Sequence, residues 1–139
     1  MNIPSRRDFL ASTGKIGVGL TLGMAARAQA DSANDRVRLA VVGLHGRGGI
    51  LATKFAARPD CEIAYLCDVD ESLFPQYVTE VERIQQRRPK VAGDFRHALD
   101  DKSIDAIIVA TPDHWHALAT IWGCQAGKDV YVEKPVSHS

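Results

Sequence analysis

The sequence predicts an α/β fold, a doubly wound parallel sheet, and three observations predict it. Short apolar runs rich in β-branched residues alternate with helical stretches. One run, Ile104 to Ala110, is almost continuously apolar, the mark of a strand buried on both faces. The first run ends in a glycine turn that opens a helix. Parallel neighbours need right-handed crossover helices, so this alternation leaves few other arrangements.

Residues 1–30 read as an address rather than a fold. Ser5-Arg6-Arg7-Asp8-Phe9-Leu10 has two adjacent arginines followed by an apolar pair, the pattern of a twin-arginine export signal. Ser12 to Ala26 is small, glycine-rich and interrupted by Lys15, too short and too weakly apolar to span a membrane. Ala28-Gln29-Ala30 supplies a small-x-small cleavage site. The expected organisation is a signal peptide at 1–30, a linker at 31–36 and one domain at 37–139. It carries a periplasmic or secreted location, the export machinery as a partner and no membrane anchor.

The elements follow in order. Val37 to Val42 is a strand, stopped by Gly43-Leu44-His45-Gly46-Arg47-Gly48-Gly49. Ile50 to Arg58 has helical spacing and ends at Pro59-Asp60. Glu62 to Cys67 is a second strand, closed by Asp68. Glu71 to Arg88 is a charged amphipathic helix that tolerates Pro75 only near its start. Lys90-Val91-Ala92 is a short third strand, and Asp94 caps a short helix over 95–99. After the apolar strand and the Thr111-Pro112 break, Asp113 to Ala126 is helical. Leu118, Ile121, Trp122 and Gln125 form one stripe, and Gly127 is the stop. Val130-Tyr131-Val132 is the last strand, ending in Glu133-Lys134-Pro135.

Composition excludes some functions. The chain has 17 basic and 17 acidic residues. Without the first 30 residues, which hold four bases and one acid, 13 and 16 remain, a net charge of −3. No polyanion-binding surface is indicated, so nucleic acid is not an expected partner. Cys61, Cys67 and Cys124 form no spaced motif. Cys67 in its apolar run and Cys124 on its helix read as small core residues. Trp115 and Trp122 read as packing residues. His114 and His116 lie two apart at a helix start and diverge, so no metal site is expected.

The glycine turn carries the first chemical signal. Bare backbone lets phosphate oxygens approach, and the helix N-terminus favours their charge. Gly43 ends the strand and Gly48 sits where helix and sheet must pack closely. The usual spacing puts a second glycine where His45 stands, and Gly46 carries it one residue later. Arg47 can add a charged contact to a diphosphate. Asp68 closes the second strand 25 residues after Gly43, the spacing of an acid that binds an adenosine ribose. With Asp70 and Glu71 beside it, the local field disfavours a 2′-phosphate, so NAD is expected over NADP. Two further clusters follow strands and so fall on the same ligand edge: Thr111-Pro112-Asp113-His114-Trp115-His116 and Glu133-Lys134-Pro135.

Together these residues resemble the N-terminal part of the Gfo/Idh/MocA family of NAD(P)-dependent oxidoreductases. The resemblance runs over about 36–137 and is carried by the turn at 43–49, Cys67-Asp68-Val69-Asp70, the stretch 105–112 with His116, and 126–135. It implies a Rossmann NAD(P)-binding domain in which Gly43, His45, Gly46, Arg47 and Gly48 hold the diphosphate and Asp68 the ribose. It further implies that Thr111, Pro112 and His116 lie along the cofactor near the nicotinamide. Lys134 is implied as the catalytic residue beside the nicotinamide and a substrate hydroxyl, with Glu133 and Pro135 shaping the site. A lysine there polarises a carbonyl or assists proton transfer as hydride moves. Substrates of the family's kind are sugars, inositols and polyols. The family's α/β substrate domain and the last strand of its six-stranded sheet are not in this sequence. The expectation is therefore an incomplete Rossmann domain, inactive by itself, from a protein that assembles as a homo-oligomer through its missing sheet. Two other readings stand beside the dehydrogenase. One is an NAD-dependent glycosidase of the same fold, whose members tend to lack the lysine of Glu133-Lys134-Pro135; the other is a non-catalytic dinucleotide-binding fragment.

Overall fold

The computed structural model describes residues 36–137. The expected signal peptide and nearly all of the linker lie outside the described residues. The described elements are β1 (Val37–Val42), α1 (Arg47–Ala56), β2 (Cys61–Cys67), α2 (Phe74–Gln85), β3 (Lys90–Ala92), α3 (Arg96–Asp100), β4 (Ala106–Val109), α4 (His116–Gln125) and β5 (Asp129–Val132). Short 3₁₀ turns, Glu71–Leu73 and Asp113–Trp115, lead into α2 and α4. The strands form one parallel sheet in the order β3-β2-β1-β4-β5. This is the doubly wound arrangement, with its order reversal between β1 and β4.

Alternation along the central strands builds two cores. Leu39, Val41 and Ile108 face one side with Leu51, Ala52, Val78 and Val81 from α1 and α2. Ala40, Val42, Ile107 and Val109 face the other with Ala98, Leu99 and Ala119 from α3 and α4. Burial on both faces explains the unbroken apolar runs. The β1–β2 register shifts between Leu39 and Ala40, which pair with Ile63 and Tyr65. The Gln85 side chain meets the irregularity, accepting from the Ile63 amide and donating to its carbonyl, both at 2.9 Å. Sequence patterning carried no signal for that plug.

Several boundaries move for physical reasons. Helix α1 starts at Arg47 rather than Ile50, so Gly48 and Gly49 are helical and buried. Helix α2 stops at Gln85 because Gln86 turns left-handed, with φ 57°. The helix after β3 begins one residue later than expected, so Phe95 and not Asp94 holds the N-cap position, and the Asp94 carboxylate instead accepts from the Arg96 amide at 2.9 Å in the turn ahead of it. The largest correction concerns α4. Its buried face is His116, Ala119 and Gly123, while Leu118 and Ile121 are exposed. A Cβ on Gly123 would stand 2.8 Å from Ile107 and Val130 side-chain carbons. The smallest residues therefore face the sheet and let the helix come close, which turns the larger apolar stripe outward. Cys124 is exposed for the same reason, against its expected place in the core.

Candidate functional site

All five strands end at one edge, and a cleft of about 640 Å³ opens there, lined by residues that follow β1 to β4. The glycine turn forms one wall. Gly43 takes φ +86° and lies so close to β4 that a Cβ would stand 2.7 Å from the Thr111 nitrogen. A Cβ on Gly48 would fall 1.7 Å from the Gly43 carbonyl oxygen. Both glycines are therefore required by backbone approach, as their spacing predicts. Gly48 and Gly49 amides return to the His45 and Leu44 carbonyls. The amides of His45, Gly46 and Arg47 meet no acceptor among the described residues. Three free amides at a helix N-terminus fit a diphosphate.

Asp68 stands where the second wall begins. Its Oδ2 accepts from the Leu44 amide at 2.6 Å and its Oδ1 from the Asp70 amide at 2.9 Å. It thus stitches the glycine turn to the end of β2. Each carboxylate oxygen keeps lone-pair capacity for a ribose hydroxyl. Asp70 is held below the usual carboxylate range by its bonds from Ser72, with His45 contributing. The Cys67 thiol also lines the cleft, and burial pushes it up to about 12, so it is an inert wall.

Sequence reasoning missed the floor beyond Asp68. Val69, Gly93, Asp94, Phe95, Arg96 and Trp122 line it. Phe95 stacks on Trp122 with centroids 5.8 Å apart. The signal available was positional, since Gly93 to Arg96 follow the C-terminal end of β3, where parallel sheets place ligands. Trp115 and Trp122 both line the cleft rather than serving only as packing.

The β4 loop supplies Thr111 and Pro112 to the same cleft. The buried Thr111 hydroxyl has no partner among the described residues, as expected of a group awaiting one. His116 differs from its expected place along the cofactor. It is 2% exposed, with Nδ1 2.6 Å from the Pro135 carbonyl oxygen and Nε2 2.8 Å from that of Thr111. Both ring nitrogens face backbone, so His116 ties two loops together and has none left for a ligand.

Past β5, Glu133 accepts from Arg47 Nε at 2.8 Å and from the Tyr131 hydroxyl at 3.2 Å. That pairing, chiefly the hydrogen bond from Arg47, holds the Glu133 carboxyl below its usual range and raises Arg47. The guanidinium expected on the diphosphate is thus shared with the segment that carries Lys134. Lys134 is exposed, and no acceptor among the described residues holds its ammonium. The structure therefore brings the glycine turn, Asp68 and Thr111 into one cleft and links Glu133 to that cleft's rim through Arg47. No helix of the described residues is long and apolar enough to cross a membrane.

Comparisons with known proteins agree with this geometry. The sequence model of an oxidoreductase family with an NAD-binding Rossmann fold, Gfo/Idh/MocA, matches residues 18–139. A glycosyl hydrolase family 109 protein of Stenotrophomonas maltophilia is 32% identical over 134 residues, covering 92% of this chain and 29% of that protein. An alpha-N-acetylgalactosaminidase of Shewanella oneidensis is 28% identical, covering 95% and 34%. The chain thus spans about a third of the length of the curated relatives it matches. Among solved structures, GenD2 from gentamicin A biosynthesis, in complex with NAD, is 30% identical with a TM-score of 0.68, covering 76% of this chain and 28% of that one. The scyllo-inositol dehydrogenase of Lactobacillus casei, with bound NAD(H) and scyllo-inositol, has a TM-score of 0.67, covering 75% and 29%. At 24% identity that likeness speaks for the fold.

Proposed function

This chain belongs to the Gfo/Idh/MocA oxidoreductase family and has its NAD-binding Rossmann fold, and from that premise we propose that it is the cofactor-binding part of an exported enzyme moving hydride between NAD and a sugar or polyol. The observation that carries the reading is the convergence of the glycine turn, Asp68 and Thr111 on one cleft, with Lys134 following the neighbouring strand. NAD, when bound, supplies hydride exchange at its nicotinamide. The chain's own groups do the rest. The free amides at 45–47 hold the diphosphate, and Asp68 accepts ribose hydroxyls. The Thr111 hydroxyl donates to or accepts from the bound dinucleotide. Lys134 stabilises negative charge on a carbonyl oxygen or holds the proton that a hydroxyl gives up. The acids Asp68, Asp70 and Glu71 support NAD over NADP, because a 2′-phosphate among them would be repelled.

The test has two readouts. NAD should raise the melting temperature of this chain more than NADP does, by linkage. In the full-length protein, Lys134→Ala should lower turnover on its polyol by about 10²–10⁴-fold while leaving NAD affinity within about twofold. Full turnover in that variant removes Lys134 from its role.

A second reading has specific support. Two of the relatives are named as a family 109 glycosyl hydrolase and an alpha-N-acetylgalactosaminidase. Lys134 supports the dehydrogenase, since glycosidases of this fold tend to lack it. Glycoside cleavage with no net change in NADH absorbance would decide for the glycosidase. Export rests on Arg6-Arg7 and Ala28-Gln29-Ala30, and fusing residues 1–36 to a reporter tests it. Loss of periplasmic reporter on Arg6→Lys plus Arg7→Lys is the expected result.

A further inference from the structure

We propose that Tyr131 is a positioning residue for Lys134: its hydroxyl keeps Glu133 in place beside Arg47, and so registers the segment that carries the lysine against α1. The inference rests on the role given to Lys134 above.

β5 is an edge strand, paired with β4 alone. Side chains alternate along a strand, so Tyr131 and Glu133 share one face, and Val130 and Val132 pack with the core on the other. The Tyr131 ring meets Phe55 of α1 edge-on, with centroids 6.5 Å apart. Its hydroxyl donates to Glu133 Oε1 at 3.2 Å, the same oxygen that accepts from Arg47 Nε at 2.8 Å. After Glu133, Tyr131 also helps to raise Arg47, so the phenol lies beside the guanidinium as well. Arg47 is the first residue of α1, and Phe55 lies in its last turn. Tyr131 and Glu133 therefore join β5 to both ends of the helix that opens at the glycine turn.

Lys134 sits between two anchors. On one side is Glu133, whose carboxyl is lowered first by Arg47 and then by Tyr131 and the Lys134 backbone amide. On the other, the Pro135 carbonyl oxygen stands 2.6 Å from His116 Nδ1. The Lys134 ammonium between them meets no acceptor among the described residues. The first anchor is the exposed one. Arg47 is 54% exposed, and a phosphate oxygen competes with Glu133 for its guanidinium. An exposed ion pair is by itself a weak tether. The Tyr131 hydroxyl comes from the same strand as Glu133, two residues away, so its bond does not depend on where the guanidinium turns. It holds the carboxylate, and the Lys134 amide on it, while Arg47 is shared with a ligand.

The test reads the Lys134 amine directly and needs no substrate. Acetic anhydride in limiting amount is applied to the full-length protein with and without saturating NAD⁺. Mass spectrometry then compares acetylation of Lys134 with that of the exposed Lys54. In the wild type, bound NAD⁺ should slow acetylation of Lys134 about fivefold, because the amine is then enclosed beside the nicotinamide. Tyr131→Phe keeps the ring on Phe55 and removes the hydroxyl. In this variant the protection should fall below about twofold, while NAD⁺ affinity by calorimetry stays within about twofold of wild type and the melting temperature within about 3 °C. Adding Tyr131→Phe to Glu133→Ala should change the protection no further, because the hydroxyl acts through that carboxylate. Full protection in Tyr131→Phe overturns the inference and leaves the role of Lys134 standing, and so does a further loss in the double variant. A larger fall in melting temperature, with Lys54 altered alongside Lys134, assigns Tyr131 to stability alone and overturns it too. NAD⁺ binding without protection in the wild type removes Lys134 from the nicotinamide, and this inference with it. Absence of NAD⁺ binding overturns the cofactor reading on which both stand.

Discussion

The two halves of the ligand edge are built differently. On the side of β1, β2 and β3, side chains are spent on fixing backbone. Asp68 holds the amides of Leu44 and Asp70, and Asp94 holds the Arg96 amide. Gly43 and Gly48 add backbone approaches that admit no side chain. On the side of β4 and β5, the arrangement depends on two links, His116 between Thr111 and Pro135, and Arg47 to Glu133. Leu118, Ile121, Tyr131 and Val136 are exposed around it. The half that would grip a cofactor is pre-formed throughout, while the half that would do chemistry hangs on a few identifiable bonds.

The largest expected effect breaks the pre-formed half. In Gly48→Ala the new Cβ meets the Gly43 carbonyl oxygen, which is backbone and anchored through the Gly43 amide to the Cys67 carbonyl at 2.8 Å. Neither partner can swing aside, so the turn must open. We expect a loss of about 3 kcal/mol or more in chemical denaturation, with NAD-induced stabilisation abolished. A variant within 1 kcal/mol of wild type would mean that the turn is loose, and that the contrast between the halves is not real.

The same contrast explains what the sequence made legible. The doubly wound class, the glycine turn and Asp68 were readable because each follows from a simple rule: apolar runs alternating with helical stretches, a forbidden Cβ, an acid at a fixed spacing. The outward turn of Leu118 and Ile121 was not readable. Apolar periodicity finds a stripe on a helix, but Ala119 and Gly123 decide which face approaches the sheet. The role of His116 was hidden for a related reason. Its partners are carbonyls 5 and 19 residues away, and no pattern of residue types announces a bond to backbone. The cleft floor at Phe95 and Trp122 needed the third dimension to bring two aromatics from separate elements together.

A smaller effect probes the other half. His116→Ala removes the link between the Thr111 loop and Pro135 and leaves the two carbonyls without the imidazole between them. The expected cost is about 1–3 kcal/mol, because a buried polar group that loses its partner bears its full desolvation penalty. The more informative readout is selective. Affinity for ADP, which engages the β1–β2 half, should stay within about twofold of wild type. In the full-length protein, turnover should fall by an order of magnitude or more as Lys134 loses its fixed approach. Equal losses in both would show the two halves to be one cooperative unit.

The smallest effect sharpens how the pre-formed half is held. Asp94 accepts from the Arg96 amide and pairs with its guanidinium, and the hydrogen bonds from that guanidinium hold its carboxyl at about 2. The unfolded value is about 3.9. A carboxyl with a depressed folded value stabilises the protein above the unfolded value and loses that contribution as pH falls through the folded one. Asp94→Asn keeps an oxygen that can accept from the Arg96 amide and removes the charge, so it isolates the charge effect. The pair is well exposed, and solvent screening limits its worth to below about 1 kcal/mol. The melting temperature of Asp94→Asn should therefore lie slightly below wild type at pH 7, and the gap should close between pH 4 and pH 2. A gap that persists unchanged at pH 2 would assign the role to the shape of the turn, leaving the charge idle.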